Sequence, residues 1–244
     1  MQKRIDIFLV ESGKLKSRSQ ARMLIKQGDV YCNDQKEKKK GLLVSESDVI
    51  EIKQDYHFVS RGALKLVKAI ESFNLDFKDK IIADCGASTG GFTQVSLIEG
   101  AKRVYAIDVG RDQLEASLLK DPRVINMPSV NLKNPLNLAE KVDFCVADLS
   151  FISIKKVFPN MLKLLKDEGL CVVLIKPQFE AGKERVGKNG IVKESAREEI
   201  LEEVLAWFKS NGHKILSCIE SPITGKSGNK EYLALIKGRQ DSES

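Results

Sequence analysis

Asp84-Cys85-Gly86-Ala87-Ser88-Thr89-Gly90-Gly91-Phe92-Thr93 directly follows an apolar run, Ile81-Ile82-Ala83, and opens a helical stretch. A glycine-rich turn between strand and helix lets backbone come close to a ligand, and an acid at the strand tip can hold an ammonium. Asp108 ends the next apolar run, Arg103-Val104-Tyr105-Ala106-Ile107, at a position where an acid typically binds ribose hydroxyls. A nicotinamide dinucleotide would use that acid too, but the loop reads Gly-x-x-x-Gly-Gly and not Gly-x-Gly-x-x-Gly. Asp148 closes a third run, Phe144-Cys145-Val146-Ala147. Three carboxylates are therefore expected at the carboxyl ends of three strands, where open sheets bind ligands.

Working outward, helical patterns alternate with apolar strands from Ser60 onward, which predicts an α/β fold with an open, doubly wound sheet. Further strands are predicted at 124–125, 171–175, 215–219 and 232–236, making seven. The last two are joined by a glycine-rich loop and read as an antiparallel hairpin, which points to a class I (Rossmann-like) methyltransferase sheet. Ser195 with Glu198 forms a capping-box signature for a helix whose Ile200, Val204 and Phe208 are expected in the core.

The first fifty-odd residues read as a separate small α+β unit. A helix is predicted over 5–11 with Gly13 as its stop. A second helix has a capping box at Ser17 and Gln20, an apolar stripe of Ala21, Leu24 and Ile25, and Gly28 just past its end. Short strands are expected at 30–32 and 48–52, separated by a polar turn and Lys36-Glu37-Lys38-Lys39-Lys40. From Lys3 to Lys40 there are eleven Lys or Arg against five Asp or Glu, so this end carries the whole formal net charge of +6. Such asymmetry suggests a polyanion partner.

Composition bounds the rest. With 244 residues, 42% of them hydrophobic and 30% charged, the chain should fold into one or two cores. No apolar segment of signal-peptide length follows Met1, and none approaches the ~18 residues of a membrane span, so a cytoplasmic, non-membrane protein is expected. The five cysteines show no Cys-x-x-Cys pair and only two histidines accompany them, so buried thiols are expected and no structural metal.

The front unit resembles the RNA-binding module named for small-subunit ribosomal protein four. The resemblance runs through Arg4-Ile5-Asp6, Ser17-Arg18-Ser19-Gln20-Ala21-Arg22, Ile25-Lys26-Gln27-Gly28-Asp29-Val30 and Asp48-Val49-Ile50. It nominates Lys16, Arg18, Arg22 and Lys26 for RNA. Positions 18, 22 and 26 recur every fourth residue and share a helix face.

Lys65 precedes the first strand of the sheet, Asp148 ends the fourth, Lys176 ends the fifth and Glu231 starts the last. Together they match the Lys-Asp-Lys-Glu tetrad of ribose 2′-O-methyltransferases of the FtsJ-like, heat-shock RNA methyltransferase kind. Residues 59–66, the glycine turn, Asp108-Val109-Gly110, Asp148-Leu149-Ser150-Phe151-Ile152-Ser153 and Ile175-Lys176-Pro177-Gln178-Phe179-Glu180 resemble still more closely the TlyA family, also named hemolysin A, and the likeness spans almost the whole chain. The resemblance implies S-adenosylmethionine as cofactor. Ribosomal RNA or ribosomal subunits would be the partner, with no obligate protein partner. The product would be a cytidine methylated at the ribose 2′-hydroxyl, in large-subunit and in some members small-subunit RNA, the short amino terminus leaving the small-subunit target open. Expected domains are an RNA-binding domain at 1–54, a linker at 55–59 and a methyltransferase domain at 60–240. Asp84, Gly86, Ala87, Ser88, Thr89, Gly90, Gly91, Phe92, Asp108, Val109, Asn131 and Asp148 are the expected cofactor contacts, and Arg61, Lys183 and Arg185 join the RNA contacts.

The chemistry suits the tetrad. A ribose hydroxyl ionises far above neutral pH, so attack on a sulfonium methyl needs its oxygen positioned and its proton accepted. Like charge and burial lower an amine's pKa from about 10.4, so Lys176 is expected as the base, with Lys65 charged beside the oxygen and Asp148 and Glu231 orienting both. The stretch 177–195 is too long for a simple connection and is expected to be a basic flap closing on RNA. Two other classes of function are weighed beside this one: a membrane-lysing toxin, invited by the family's second name, and an inactive RNA-binding assembly factor.

Overall fold

The computed structural model describes residues 2–15, 18–37, 39, 41–52, 58–187, 190–225 and 227–238. The chain divides into two compact units, Met1–Phe58 and Val59–Ser244. Most of the expected linker lies outside the described residues.

In the first unit β1 (Lys3–Arg4) leads into α1 (Ile5–Glu11), then α2 (Arg18–Gln27), β2 (Val30–Cys32), β3 (Gln35–Glu37), β4 (Leu43–Val44) and β5 (Ile50–Ile52). β1 pairs with β4, and β2 lies between β3 and β5, all antiparallel. Ile5, Leu9, Ala21, Leu24, Ile25, Val30, Val44 and Ile50 form the core. Gly28, at φ +80°, ends α2. Its N–H donates to Ile25 O while that of Asp29 donates to Leu24 O, the double bond of a Schellman end. The lysine run is partly a correction. Asn33 and Asp34 both have positive φ and make a two-residue hairpin turn, so residues 35–37 pair as a strand instead of continuing a polar turn. The Ser17 capping box lies outside the described residues.

The second unit runs α3 (Ala63–Ser72), β6 (Ile81–Cys85), α4 (Gly91–Ile98), β7 (Arg103–Ile107), α5 (Ala116–Leu119), β8 (Val124–Met127), β9 (Val142–Ala147), α6 (Phe158–Leu162), β10 (Leu165–Ile175), α7 (Pro177–Glu180), α8 (Glu194–Ser210), β11 (Lys214–Glu220) and β12 (Tyr232–Lys237). Its seven-stranded sheet has the order β11-β12-β10-β9-β6-β7-β8. β12 is antiparallel to both neighbours, and the other pairs are parallel, so the fold is the expected α/β sheet ending in a hairpin. From β6 the chain steps outward to β7 and β8, then returns to the other side of β6 with β9. The switch point therefore lies between β6 and β9, where doubly wound sheets open a crevice.

All five residues of β6 are buried, as a central strand covered on both faces must be. Phe158 of α6 and Phe208 of α8 meet edge to face with centroids 4.7 Å apart, and Ile200, Val204 and Phe208 are fully buried, as their spacing predicts. The helix itself starts earlier than expected. Lys193 is its N-cap residue with no side-chain cap, so Ser195 lies inside the first turn and caps nothing. All five cysteines are free thiols; Cys85, Cys145 and Cys171 are buried, whereas Cys32 and Cys218 are half-buried. Among the described residues no helix is long and apolar enough to cross a membrane.

Candidate active site

The glycine turn sits at the switch point. Gly86 (φ +88°) and Gly90 (φ +97°) take left-handed conformations that cost a side chain dearly, and a Cβ at Gly86 would meet the Asp148 carbonyl oxygen at 3.1 Å. The turn is pinned by Gly86 N and Ala87 N, which both donate to Ile107 O, and by Gly90 N, which donates to Ala87 O. Asp84 is fully buried. Its Oδ2 accepts from Thr93 Oγ1 at 2.7 Å, while its Oδ1 is buried without a hydrogen-bond partner among the described residues. Burial raises its pKa to about 7, opposed by Thr93 and reinforced by the charges of Asp148 and Asp108. An orphan acceptor of this kind fits a cationic donor, as the amino group of a methionine moiety would be. Asp108 accepts from Ser88 N at 2.8 Å and Gly110 N at 2.7 Å, which ties the second acid to the turn.

The tetrad is assembled in the same crevice. Lys65 on α3 donates to Asp148 Oδ2 at 3.1 Å and to Glu231 Oε2 at 2.8 Å. Lys176, just past β10, lies 2.6 Å from Asp148 Oδ1 and donates to Ser150 Oγ at 2.9 Å. The contact with Oδ1 is a close ion pair without hydrogen-bond alignment. Glu231 Oε1 accepts from Gln178 Nε2 at 3.1 Å. Lys65, Lys176 and Glu231 are all buried. Burial alone would push the Asp148 carboxyl up, but Lys176 and Lys65 outweigh it and hold that carboxyl below the usual carboxylate range.

A cleft of about 760 Å³ opens above these groups. Its wall includes Lys65, Asp148, Lys176 and Glu231 together with Gly86, Ala87, Ser88, Thr89, Gly91, Phe92 and Arg61. Asp84, Gly90, Asp108, Val109 and Asn131 are not among the lining residues. Asn131 is exposed and its side chain accepts from Lys133 N within its own turn. Val109 is exposed after β7.

Phe151 and Phe179, whose roles sequence reasoning passed over, are also in the wall, and Glu180 lies behind them in the chain. Phe151 is 92% exposed, holds φ +63° and packs against Phe179 with ring centroids 5.2 Å apart. A positive φ is a real outlier for an aromatic side chain and costs on the order of 1–3 kcal/mol. Glu180 accepts from Ser153 Oγ and Ile154 N, and burial raises its pKa against those two bonds and Lys155.

The nominated RNA contacts are found in varied settings. Arg18 and Arg22, with Arg4, surround the buried carboxylate of Asp6. Burial of Asp6 is outweighed by Arg22 and Arg4, which hold its carboxyl below the ordinary range. Lys16 and the side chains of Lys26 and Lys183 lie outside the described residues. Arg185 is held in a fork by Glu203 at 2.6 and 2.8 Å, and Asn229 ties down Gly190 O and Val192 N. The expected flap is thus folded against α8 and the β12 loop over its described residues.

Residues 58–237 match the model of the FtsJ-like methyltransferase family, and residues 3–50 match the S4 domain. The chain is 39% identical over 235 residues to YqxC of Bacillus subtilis, a candidate rRNA methyltransferase, covering 94% of this chain and 84% of that one. It is 38% identical over 243 residues to the 16S/23S rRNA (cytidine-2′-O)-methyltransferase TlyA of Mycobacterium tuberculosis, covering 98% and 91%. A solved candidate hemolysin from Streptococcus thermophilus superposes with a TM-score of 0.71 at 40% identity, covering 96% of this chain and 88% of that one.

Proposed function

Because the chain belongs to the FtsJ-like methyltransferase family, in its TlyA or hemolysin A branch, with an S4 domain in front, we propose that it methylates a ribose 2′-hydroxyl of ribosomal RNA, on a cytidine, with S-adenosylmethionine as donor. The observation that carries this reading is the contact of Asp148 with both Lys65 and Lys176 in the cleft walled by the glycine turn. Bound there, the cofactor supplies an electrophilic methyl group. Asp84 would hold its amino group through the free Oδ1, the turn from Gly86 to Phe92 its backbone-facing side, and Asp108 its ribose hydroxyls.

The protein's own part is positioning and proton handling. Lys65 is committed to two carboxylates, whereas Lys176 has one carboxylate and one hydroxyl, so Lys176 Nζ is the freer to meet an incoming oxygen. Once Lys176 has released its ammonium proton to solvent, its neutral Nζ accepts the hydroxyl proton, and Lys65 adds positive potential beside the developing alkoxide. Gln178 keeps Glu231 turned toward Lys65. Phe151 and Phe179 offer a ring face at the cleft mouth on which an unstacked base can lie, as single-stranded RNA recognition favours. Arg61 in the wall, with Lys16, Arg18, Arg22, Lys26, Lys183 and Arg185, is assigned to phosphates. No particular feature favours the toxin or the inactive-factor reading. The test is methyl transfer to unmodified ribosomal subunits followed by mapping of the methylated atom; a base methyl, or none, overturns the proposal.

A further inference from the structure

The geometry points to Glu180 as a positioning residue for methyl transfer, its carboxylate clamping the segment that carries Asp148, Ser150 and Phe151 to the turn that carries Lys176, Gln178 and Phe179. The inference rests on the proposed transfer reaction and concerns how two reacting segments keep their register. Asp148 follows β9 and Lys176 follows β10, and the pairing of those strands ends at Ala147 with Val173. Beyond that point, among the described residues, contacts that involve side chains hold the two together. The contacts that span the gap run in order along the chain: Lys176 with Asp148 and Ser150, Phe179 with Phe151, and Glu180 with Ser153 and Ile154.

The last of these is a double contact. Ser153 Oγ donates to Glu180 Oε2 at 2.6 Å and Ile154 N to Oε1 at 2.7 Å, so a carboxylate takes two short, charge-assisted bonds from one segment. Glu180 does not line the cleft, and it contacts no tetrad side chain among the described residues. Between the clamp and Asp148 lies Phe151 in its left-handed conformation, which persists only where neighbours over-determine it. Ser150, which meets Lys176 Nζ, is the residue before it. Without Glu180, residues 150–153 can relax, and the hydroxyl that orients Lys176 leaves with them.

The test compares Glu180→Ala, Glu180→Gln and Ser153→Ala in the full chain, measuring kcat, KM for RNA, cofactor Kd and melting temperature. Gln can keep both bonds, accepting from Ile154 N and donating to Ser153 Oγ. The clamp predicts that kcat of Glu180→Ala falls at least about tenfold with cofactor Kd unchanged, while Glu180→Gln stays within about threefold of wild type. Ser153→Ala should fall between them and add nothing in the Glu180→Ala background. A Glu180→Ala protein with wild-type kcat, or a Gln variant as slow as the Ala one, overturns the clamp. Should Glu180→Ala fail to fold, Ser153→Ala decides, and wild-type kcat there overturns it equally. A wild-type protein that methylates no ribose refutes the proposed function instead, so the two failures are distinct.

Discussion

Asp84 and Asp148 share a neighbourhood, yet their surroundings drive them in opposite directions. Asp84 is fully buried and feels the charges of Asp148 and Asp108, so its pKa rises to about 7; Asp148 faces two ammonium groups and is depressed. The sign follows for each. Because the Asp84 pKa is raised in the fold, its contribution to stability is full below its unfolded value of 3.8 and is lost as pH rises through about 7. A cationic cofactor amino group prefers the ionised form, so cofactor binding should tighten over the same rise. Calorimetry should show Kd falling between pH 6 and 8, about tenfold or less, with Asp84→Asn weak and flat across that range. Lys176→Ala should lower kcat by about 10²–10⁴-fold and leave cofactor Kd within a factor of about two, as single-turnover kinetics and equilibrium binding would report. The tetrad was legible in the sequence because Asp148, Lys176 and Glu231 stand at strand ends, and they and Lys65 of α3 all fall in recognisable phrases. Phe151 was not, since nothing in Asp148-Leu149-Ser150-Phe151 announces a positive φ or a ring left in solvent.

At the scale of elements, the glycine turn is the part least able to change. Gly86→Ala would force a Cβ to 3.0 Å from Leu149 Cδ2 and 3.1 Å from the Asp148 carbonyl oxygen at a left-handed φ. Gly90→Ala meets only the ends of Leu118 and Leu114, which can move. Gly86→Ala should therefore cost more transfer activity than Gly90→Ala, both losing about 1–2 kcal/mol of stability to backbone strain in denaturant titrations. Phe208→Ala, far from the tetrad in the chain, should lose about 3–5 kcal/mol by emptying a packed aromatic site while its folded fraction keeps wild-type cofactor Kd. Strands and buried helix faces were readable from apolar periodicity. Boundaries governed by backbone geometry were not: the Asn33-Asp34 hairpin lacks the Asn-Gly signal, and α8 begins at Glu194 without the Ser195 cap that its sequence suggests.

At the scale of the whole molecule, the segment from Lys3 to Lys40 of the front unit carries a net charge equal to that of the entire chain, and the acids at 46, 48, 51 and 55 offset part of it before the catalytic unit begins. If the front unit reads phosphate, Lys16→Glu and Lys26→Glu should weaken RNA binding, each reducing the slope of log K against log salt by roughly one, without touching cofactor affinity. Arg18 and Arg22 are less clean probes because both also neutralise Asp6. The central claim is that the Lys65, Asp148, Lys176 and Glu231 cluster directs a methyl group onto a ribose oxygen of ribosomal RNA. The direct measurement is transfer of labelled methyl from S-adenosylmethionine to each purified ribosomal subunit lacking the modification, with Lys176→Ala alongside and the product mapped by mass spectrometry. The account predicts one cytidine labelled at its 2′-oxygen by the wild type and none by the variant. Label on a base, label from Lys176→Ala at the wild-type rate, or no label despite cofactor binding would contradict it.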